Sequence, residues 1–169
     1  GVVKKKIKAG LGLTHTHTIL TAATPTPPEL IRWFKRIGIT LLEGYSMTEN
    51  FGYSHANPPK RIKIGTVGQS MPFSETKLGE QNEVLVRNRA AMIGYYKEPE
   101  LTREFFTADG FAHTGDEGAI DAEGYLTITG RTKDIFKTSK GKYVVPSPIE
   151  MKICSNANLE FCCVAGTGL

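Results

Sequence analysis

Four polar clusters interrupt the apolar pattern of the chain, and their residue types suit nucleotide chemistry. The first is Glu43-Gly44-Tyr45-Ser46-Met47-Thr48-Glu49-Asn50, directly after an apolar run at residues 39–42 that reads as a buried strand. Ligands usually bind at strand ends in α/β sheets. An aromatic ring there can stack a base, a hydroxyl can donate to phosphate, and the Glu49 carboxylate can hold Mg²⁺. The alternative is a polar loop with a buried tyrosine. The second cluster is His113-Thr114-Gly115-Asp116. An aspartate just past a glycine turn can accept from both ribose hydroxyls, or it can simply cap an Asx turn. The third is Gly130-Arg131-Thr132-Lys133-Asp134-Ile135-Phe136-Lys137, in which Arg131 could bind phosphate or ribose; a solvated charge run is the other reading. The fourth, Thr138-Ser139-Lys140-Gly141-Lys142-Tyr143, is a basic glycine turn without the G-x-x-x-x-G-K-[ST] spacing of a phosphate loop.

The elements that must position these clusters follow from periodicity. The first ten residues read as a helix stopped by Gly10 and Gly12. Alternation over residues 14–20 suggests a strand with His15 and His17 on one face, although no nearby carboxylate or cysteine completes a metal site. Thr26-Pro27-Pro28-Glu29 looks like a capping box opening a helix that buries Leu30, Ile31, Phe34 and Ile37 and ends at Gly38, with Trp33 as packing beside that stripe. From residue 62 onward, short strands at 76–78, 83–87, 118–120 and 125–129 alternate with glycine turns, and residues 79–82 and 121–124 read as hairpin connections. A helix at 99–106 interrupts them. This half suggests a small barrel or curled sheet. Beyond Gly130, Ser147-x-x-Glu150 reads as a second capping box, and Phe161-Cys162-Cys163-Val164 as an apolar strand.

Composition narrows the class. The chain has 169 residues, with 21 Lys+Arg against 17 Asp+Glu for a net charge of +4. That modest charge does not imply nucleic acid, and the lysine-rich start (Lys4, Lys5, Lys6, Lys8) lacks interleaved aromatics. Those lysines read as a solvated helix face, the alternative being a phosphate- or membrane-binding patch. Glycine is enriched at 18 residues, which favours a turn-rich or β-rich chain. No apolar run approaches membrane-span length, and the basic start is not followed by the apolar core of a secretory signal. Three cysteines, two adjacent, argue for a reducing compartment over a disulfide framework, hence a cytoplasmic or membrane-peripheral location. Gly1 in place of Met reads as an internal start or a cleaved tag.

Taken together and in this order, the clusters resemble the adenylate-forming acyl-CoA synthetases, the AMP-binding superfamily that also contains firefly luciferase and peptide-synthetase adenylation domains. Tyr45 to Glu49 is similar to its tyrosine-glycine-x-threonine-glutamate motif, Thr114-Gly115-Asp116 to its threonine-glycine-aspartate motif, and Gly130-Arg131-x-Lys133-Asp134 to its hinge. Tyr143 through Glu150 resembles the segment after that hinge, and Thr21-Ala22-Ala23-Thr24-Pro25 the glycine-alanine-rich strand end that borders adenine. The resemblance implies a β-rich α+β fold and a fragment of the superfamily's enzyme. Residues 1–61 would end the large α/β domain, 62–130 would form a distorted β-barrel subdomain, and 131–169 would hold the hinge and the start of the small C-terminal domain.

The resemblance also implies roles. Tyr45 would stack on adenine with Ala22, Ala23 and Thr24 along its edge and Ser46 beside it. Thr48 would hydrogen-bond the α-phosphate and Glu49 would bind Mg²⁺, making these two the catalytic pair. Asp116 would hold the ribose hydroxyls with Arg131 nearby, and Lys133 would be the hinge. Ser139, Lys140, Gly141 and Tyr143 would approach the coenzyme A tunnel. The implied reaction joins a carboxylate to ATP as acyl-AMP with release of pyrophosphate, then transfers the acyl group to the coenzyme A thiol. The wording of residues 135–143 most resembles long-chain fatty acyl-CoA synthetases, so a fatty acid is the expected substrate. Ser46 and Thr24 depart mildly from the usual glycine and alanine.

Two groups are absent from the sequence, a Ser/Thr/Gly-rich loop whose lysine clamps the β- and γ-phosphates and a late catalytic lysine. The fragment alone is therefore expected to be inactive. The alternative is a non-catalytic nucleotide-binding or protein-interaction module of the same fold. An apolar strand at 161–164 would need a partner, either the body of the chain or a neighbouring copy in a strand-swapped or packed dimer.

Overall fold

A computed structural model describes residues 1–154, 159 and 161–166. Its elements are α1 (Val2–Gly10), β1 (Thr18–Thr21), α2 (Pro28–Arg36), β2 (Thr40–Tyr45), β3 (His55–Ala56), β4 (Gln69–Ser70), β5 (Ser74–Leu78), β6 (Glu83–Asn88), α3 (Pro99–Phe105), β7 (Ala112–Ile120), β8 (Leu126–Arg131), β9 (Phe136–Lys137), β10 (Tyr143–Val144) and α4 (Pro146–Cys154). The fold is mixed α+β and sheet-rich.

A first sheet has the order β1-β2-β3-β4, with β1 and β2 parallel and the rest antiparallel. Parallel neighbours need a crossover, and α2 supplies it. Prolines open α2, Glu29 lies in its first turn, Lys35 and Arg36 lie in its last, and Gly38 at φ +85° turns the chain into β2. Ile31 of the helix, Ile37 and Ile39 at the turn out of it, and Leu41 and Leu42 of β2 are all buried. The second sheet is an antiparallel meander, β5-β6-β7-β8. Its hairpins turn at residues 79–82 and 121–124, where Asp121 Oδ1 accepts from the Glu123 and Tyr125 amides. Bulges between Glu83 and Leu85, and between Glu117 and Gly118, twist β7.

The two sheets are joined at residues 67–69. The Val67 amide donates to Leu126 C=O at 2.8 Å, and the Leu126 amide returns a bond to Gly68 C=O at 2.9 Å. Val84, Val86 and Leu126 form the core behind this joint, and Tyr45, Val67 and Ile128 pack against them. The side chain at the end of β2 is therefore seated on the second sheet. β9 and β10 form a separate ribbon, and α4 packs on β8. Among the described residues no helix is long and apolar enough to cross a membrane.

Several expected boundaries shift. The strand expected over residues 14–20 begins only at Thr18, so His15 and His17 precede it. The α2 cap is Pro27, not Thr26; the Thr26 amide goes instead to Glu43 Oε1, and Glu29 pairs with Arg32. β2 runs three residues beyond the expected 39–42, carrying Glu43, Gly44 and Tyr45 on the strand itself. Asp116 likewise lies within β7, not past its turn. Ser147 is inside α4, which starts at Pro146.

The Phe161-Cys162-Cys163-Val164 segment is not a strand. It lies beside α4, with the Val164 amide donating to Glu150 Oε1 at 2.8 Å and Cys162 Sγ on Glu150 C=O at 3.5 Å. Glu150, expected to close a capping box, is occupied by that segment. Phe161 is exposed, so its apolar character does not bury it here.

Candidate functional site

The parallel pairing of β1 and β2, with Thr21 opposite Glu43, brings the loops that follow both strands to one edge of the first sheet. Ala22, Ala23 and Thr24 leave β1 exposed, with Ala23 in the left-handed region at φ +76°. Glu43, on β2, ties down the loop that follows β1. It is buried, and it accepts the Thr26 amide at 3.1 Å. Burial raises its carboxyl pKa, partly offset by backbone bonds from Thr26 and Gly65.

Tyr45, Asp116 and Arg131 converge at the joint of the sheets. Tyr45 Oη donates to Asp116 Oδ2 at 2.6 Å, although the two residues are 71 positions apart. Arg131 Nε donates to Asp116 Oδ1 at 3.0 Å, across the β7–β8 register that sets these residues opposite each other. Burial, then the bond to Asp116, pushes the Tyr45 phenol far above its ordinary range, so it stays a donor. Asp116 is mostly enclosed, whereas the Arg131 side chain is 66% exposed. The backbone that presents Asp116 is held on both sides. Thr114 Oγ1 donates to Val84 C=O and accepts the Asp116 amide, while Glu83 accepts the Gly115 amide and pairs with His113 Nδ1.

Ser46 and Met47 lead from β2 into a short 3-10 turn, Thr48–Asn50. Thr48 is exposed, and the Asn50 side chain closes the turn by accepting the Met47 amide at 3.2 Å. The Glu49 carboxylate accepts from Tyr95 Oη at 2.9 Å. Lys133 is exposed on a second 3-10 turn, Thr132–Asp134, next to Arg131. Ser139, Lys140 and Gly141 form the exposed turn between β9 and β10, closed by the Gly141 amide on Thr138 C=O, and the exposed Tyr143 ring sits under Lys137. Among the described residues no hydrogen bond or ion pair joins this ribbon to the Tyr45–Asp116–Arg131 group. The structure thus gathers Tyr45, Asp116 and Arg131 and sets the 22–24 and 46–49 loops at the adjoining strand ends.

Sequence reasoning did not single out Tyr95, Glu83 or His55, each of which acts through a contact distant in sequence. His55 packs its ring 5.9 Å from Tyr45 and is bonded by Ser54, Ser70 and Thr76. Burial drives its pKa down to about 4. The unfolded chain protonates this imidazole near 6.5. Acid therefore favours the unfolded state, and the stabilisation present above that value is lost as pH falls through the window from about 6.5 to 4. The expected loss is about 3 kcal/mol, visible as a falling urea midpoint that flattens in His55→Gln.

A model of the AMP-binding enzyme family matches residues 3–96. The chain is 34% identical over 165 residues to the long-chain-fatty-acid–CoA ligase FadD15 of Mycobacterium bovis, covering 98% of this chain and 27% of that protein. It therefore spans about a quarter of the length of that curated relative. Its fold superposes on the ATP-bound RpMatB-BxBclM chimera B1 with a TM-score of 0.82 at 30% identity, covering 92% of this chain and 33% of that one. A fatty acyl CoA synthetase of Mycobacterium tuberculosis matches with a TM-score of 0.71 at 28% identity, covering 98% and 36%.

Proposed function

This chain belongs to the AMP-binding enzyme family, and we propose that it supplies the adenosine side of the ATP site in a fatty acid–CoA ligase. The observation that carries the reading is the Tyr45–Asp116–Arg131 group, where a ring, a carboxylate and an exposed guanidinium meet beside two loop-bearing strand ends. A carboxylate fixed by its two neighbours still has lone pairs for a diol, because each oxygen accepts more than one bond. Tyr45 then stacks the base and Asp116 holds the ribose, with Arg131 on ribose or phosphate. Ala22, Ala23, Thr24 and Ser46 border the base.

In the proposed reaction the fatty carboxylate attacks the α-phosphorus of ATP, pyrophosphate leaves, and the coenzyme A thiol then displaces AMP from the acyl-adenylate. Thr48 donates to the α-phosphate, where negative charge grows on oxygen in the transition state. Mg²⁺ fits the donors of the Thr48–Asn50 turn, since it is commonly held by one or two carboxylates together with substrate phosphates. Glu49 would hold it, and the ion would neutralise phosphate charge. Lys133 is read as the hinge, and the turn of Ser139, Lys140 and Gly141 with Tyr143 as the part that approaches coenzyme A. The fatty-acid assignment is supported by the relatives' names.

Saturation-transfer NMR with AMP tests the nucleotide reading on the chain itself. Transfer to the adenine and ribose protons is expected in the wild type, with loss of the adenine signal in Tyr45→Ala. Absent transfer, or transfer that survives Tyr45→Ala unchanged, overturns it.

A further inference from the structure

Glu49 is held by a segment that lies 43 to 46 residues further along the chain. Tyr95 Oη donates to Glu49 Oε1 at 2.9 Å, and the Met92 amide donates to Glu49 C=O at 2.7 Å. Side chain and backbone of the same residue are thus fixed from one loop, the one that follows β6. A second tie from the end of β6, the Asn88 side-chain amide on Tyr53 C=O, holds the chain just beyond the turn.

That loop is itself braced by α3. Thr102 Oγ1 accepts the Tyr95 amide at 2.8 Å and donates to Glu98 C=O at 2.8 Å, while the Tyr95 ring meets Phe105 edge-on at 5.6 Å. Thr102 and Phe105 are three apart and share a helix face. Gly94 takes φ +154° where any Cβ would fall 2.9 Å from Thr102, so the backbone lies close against the helix. A tyrosine wanted only for packing needs no bond at its hydroxyl, yet this one is aimed at the single carboxylate of the Thr48–Asn50 turn.

We propose that Tyr95 is a positioning residue that sets the Glu49 carboxylate for the divalent cation accompanying the nucleotide triphosphate, with Met92 fixing the backbone of the same residue. The inference rests on the reading of Glu49 as the cation ligand. One Glu49 oxygen is engaged by Tyr95, which fixes the carboxylate plane. A rotamer locked before the ion arrives loses less freedom on binding it, and the benefit falls on the metal and not on adenosine.

Two measurements separate the geometry from the role. A double-mutant cycle of Tyr95→Phe and Glu49→Gln, read by urea unfolding, should show coupling across the 2.9 Å bond, the double variant keeping a higher midpoint than the sum of the single losses predicts. Strictly additive losses overturn the clamp, whatever the chain binds. Electron paramagnetic resonance with Mn²⁺ and ATP then reads the role. Tyr95→Phe should weaken Mn²⁺ binding about tenfold, the lower end of what losing a partner that orients a metal ligand costs in affinity, while AMP affinity stays unchanged. Unchanged Mn²⁺ binding overturns the inference, as does an equal loss of AMP binding, which would mark a merely structural tyrosine. A wild-type chain that binds AMP but no Mn²⁺ overturns the cation role of Glu49 and this inference with it, while leaving the adenosine reading standing.

Discussion

Asp116→Ala is expected to weaken AMP binding by the chain at least a hundredfold. In the proposed site one carboxylate accepts both ribose hydroxyls, and a hydrogen bond to a charged group is worth about 1.5–3 kcal/mol. Losing two such bonds amounts to about 3 kcal/mol or more, which corresponds to a hundredfold or greater change. The substitution also takes away the partner of Tyr45 Oη and of Arg131 Nε, the latter on a side chain exposed enough to turn to water. A buried hydroxyl left without a partner costs a further 1–3 kcal/mol or so of stability. Affinity and stability are separated by pairing the change with Tyr45→Phe. That double variant removes both ends of the 2.6 Å bond, so it should melt closer to wild type than the sum of the singles predicts. Its AMP binding should remain as poor as that of Asp116→Ala. Calorimetry with AMP, alongside urea unfolding of each variant, reads both quantities. Undiminished AMP affinity in Asp116→Ala would end the ribose assignment.

Gly68→Ala should strip the chain of much of its stability. Gly68 sits at φ +89°, and a Cβ there would fall 2.0 Å from Ala56 C, 2.1 Å from Ala56 O and 2.2 Å from Asn57 N. All three are backbone atoms, so no side-chain rotation relieves the overlap. Moving residue 68 instead would break the paired bonds of Val67 and Gly68 to Leu126, which stitch the first sheet to the second. Leu126 is fully buried in the core behind them. A cost above about 4 kcal/mol is expected, against a total stability of about 5–15 kcal/mol for ordinary domains. Gly65→Ala is the matched control, because Gly65 has the same φ of +89° but nothing within 4 Å of the added carbon. It should lose only about 1 kcal/mol, the cost of the backbone conformation alone. Urea unfolding followed by circular dichroism distinguishes the two. Equal losses would mean that the close approach at the joint is not what holds the sheets together.

The local features of the sequence were the most legible. The Asp121-Ala122-Glu123-Gly124 turn announces itself because Asp121 can accept the amides of residues two and four ahead and Gly124 can take φ +81°. The meander after residue 62 is likewise visible as periodicity, as is the apolar stripe of α2, although Leu30 of that stripe is exposed. Boundaries were less legible where a distant residue competes for a local group. Thr26 has the type and spacing of a cap, yet its amide is drawn to Glu43 on the neighbouring strand, and the helix begins one residue later. Glu150 was expected to serve its own helix and instead receives the Val164 amide, while the apolar run containing Val164 does not form a strand. β2 outran its apolar stretch because Tyr45 finds its burial against the second sheet, which a window of neighbouring residues cannot show.

The candidate site divides the same way. Tyr45, Thr48, Glu49, Asp116 and Arg131 were distinguished by type and by the order of their motifs. Tyr95, Glu83 and His55 carry no local signal, since their neighbours look like ordinary strand or loop sequence. By itself the sequence determined the local elements, α2 and the hairpins of the meander among them, and which side chains could do nucleotide chemistry, because capping, turn conformation and apolar spacing act over a few residues. Only the tertiary structure decided that Tyr45 and Arg131 share one carboxylate and that Tyr95 reaches Glu49. Those contacts depend on the register of two sheets and on a glycine at their joint. Hydrogen bonds of 2.6 to 3.0 Å between such residues are set by the packing of whole elements, and no spacing along the chain encodes them.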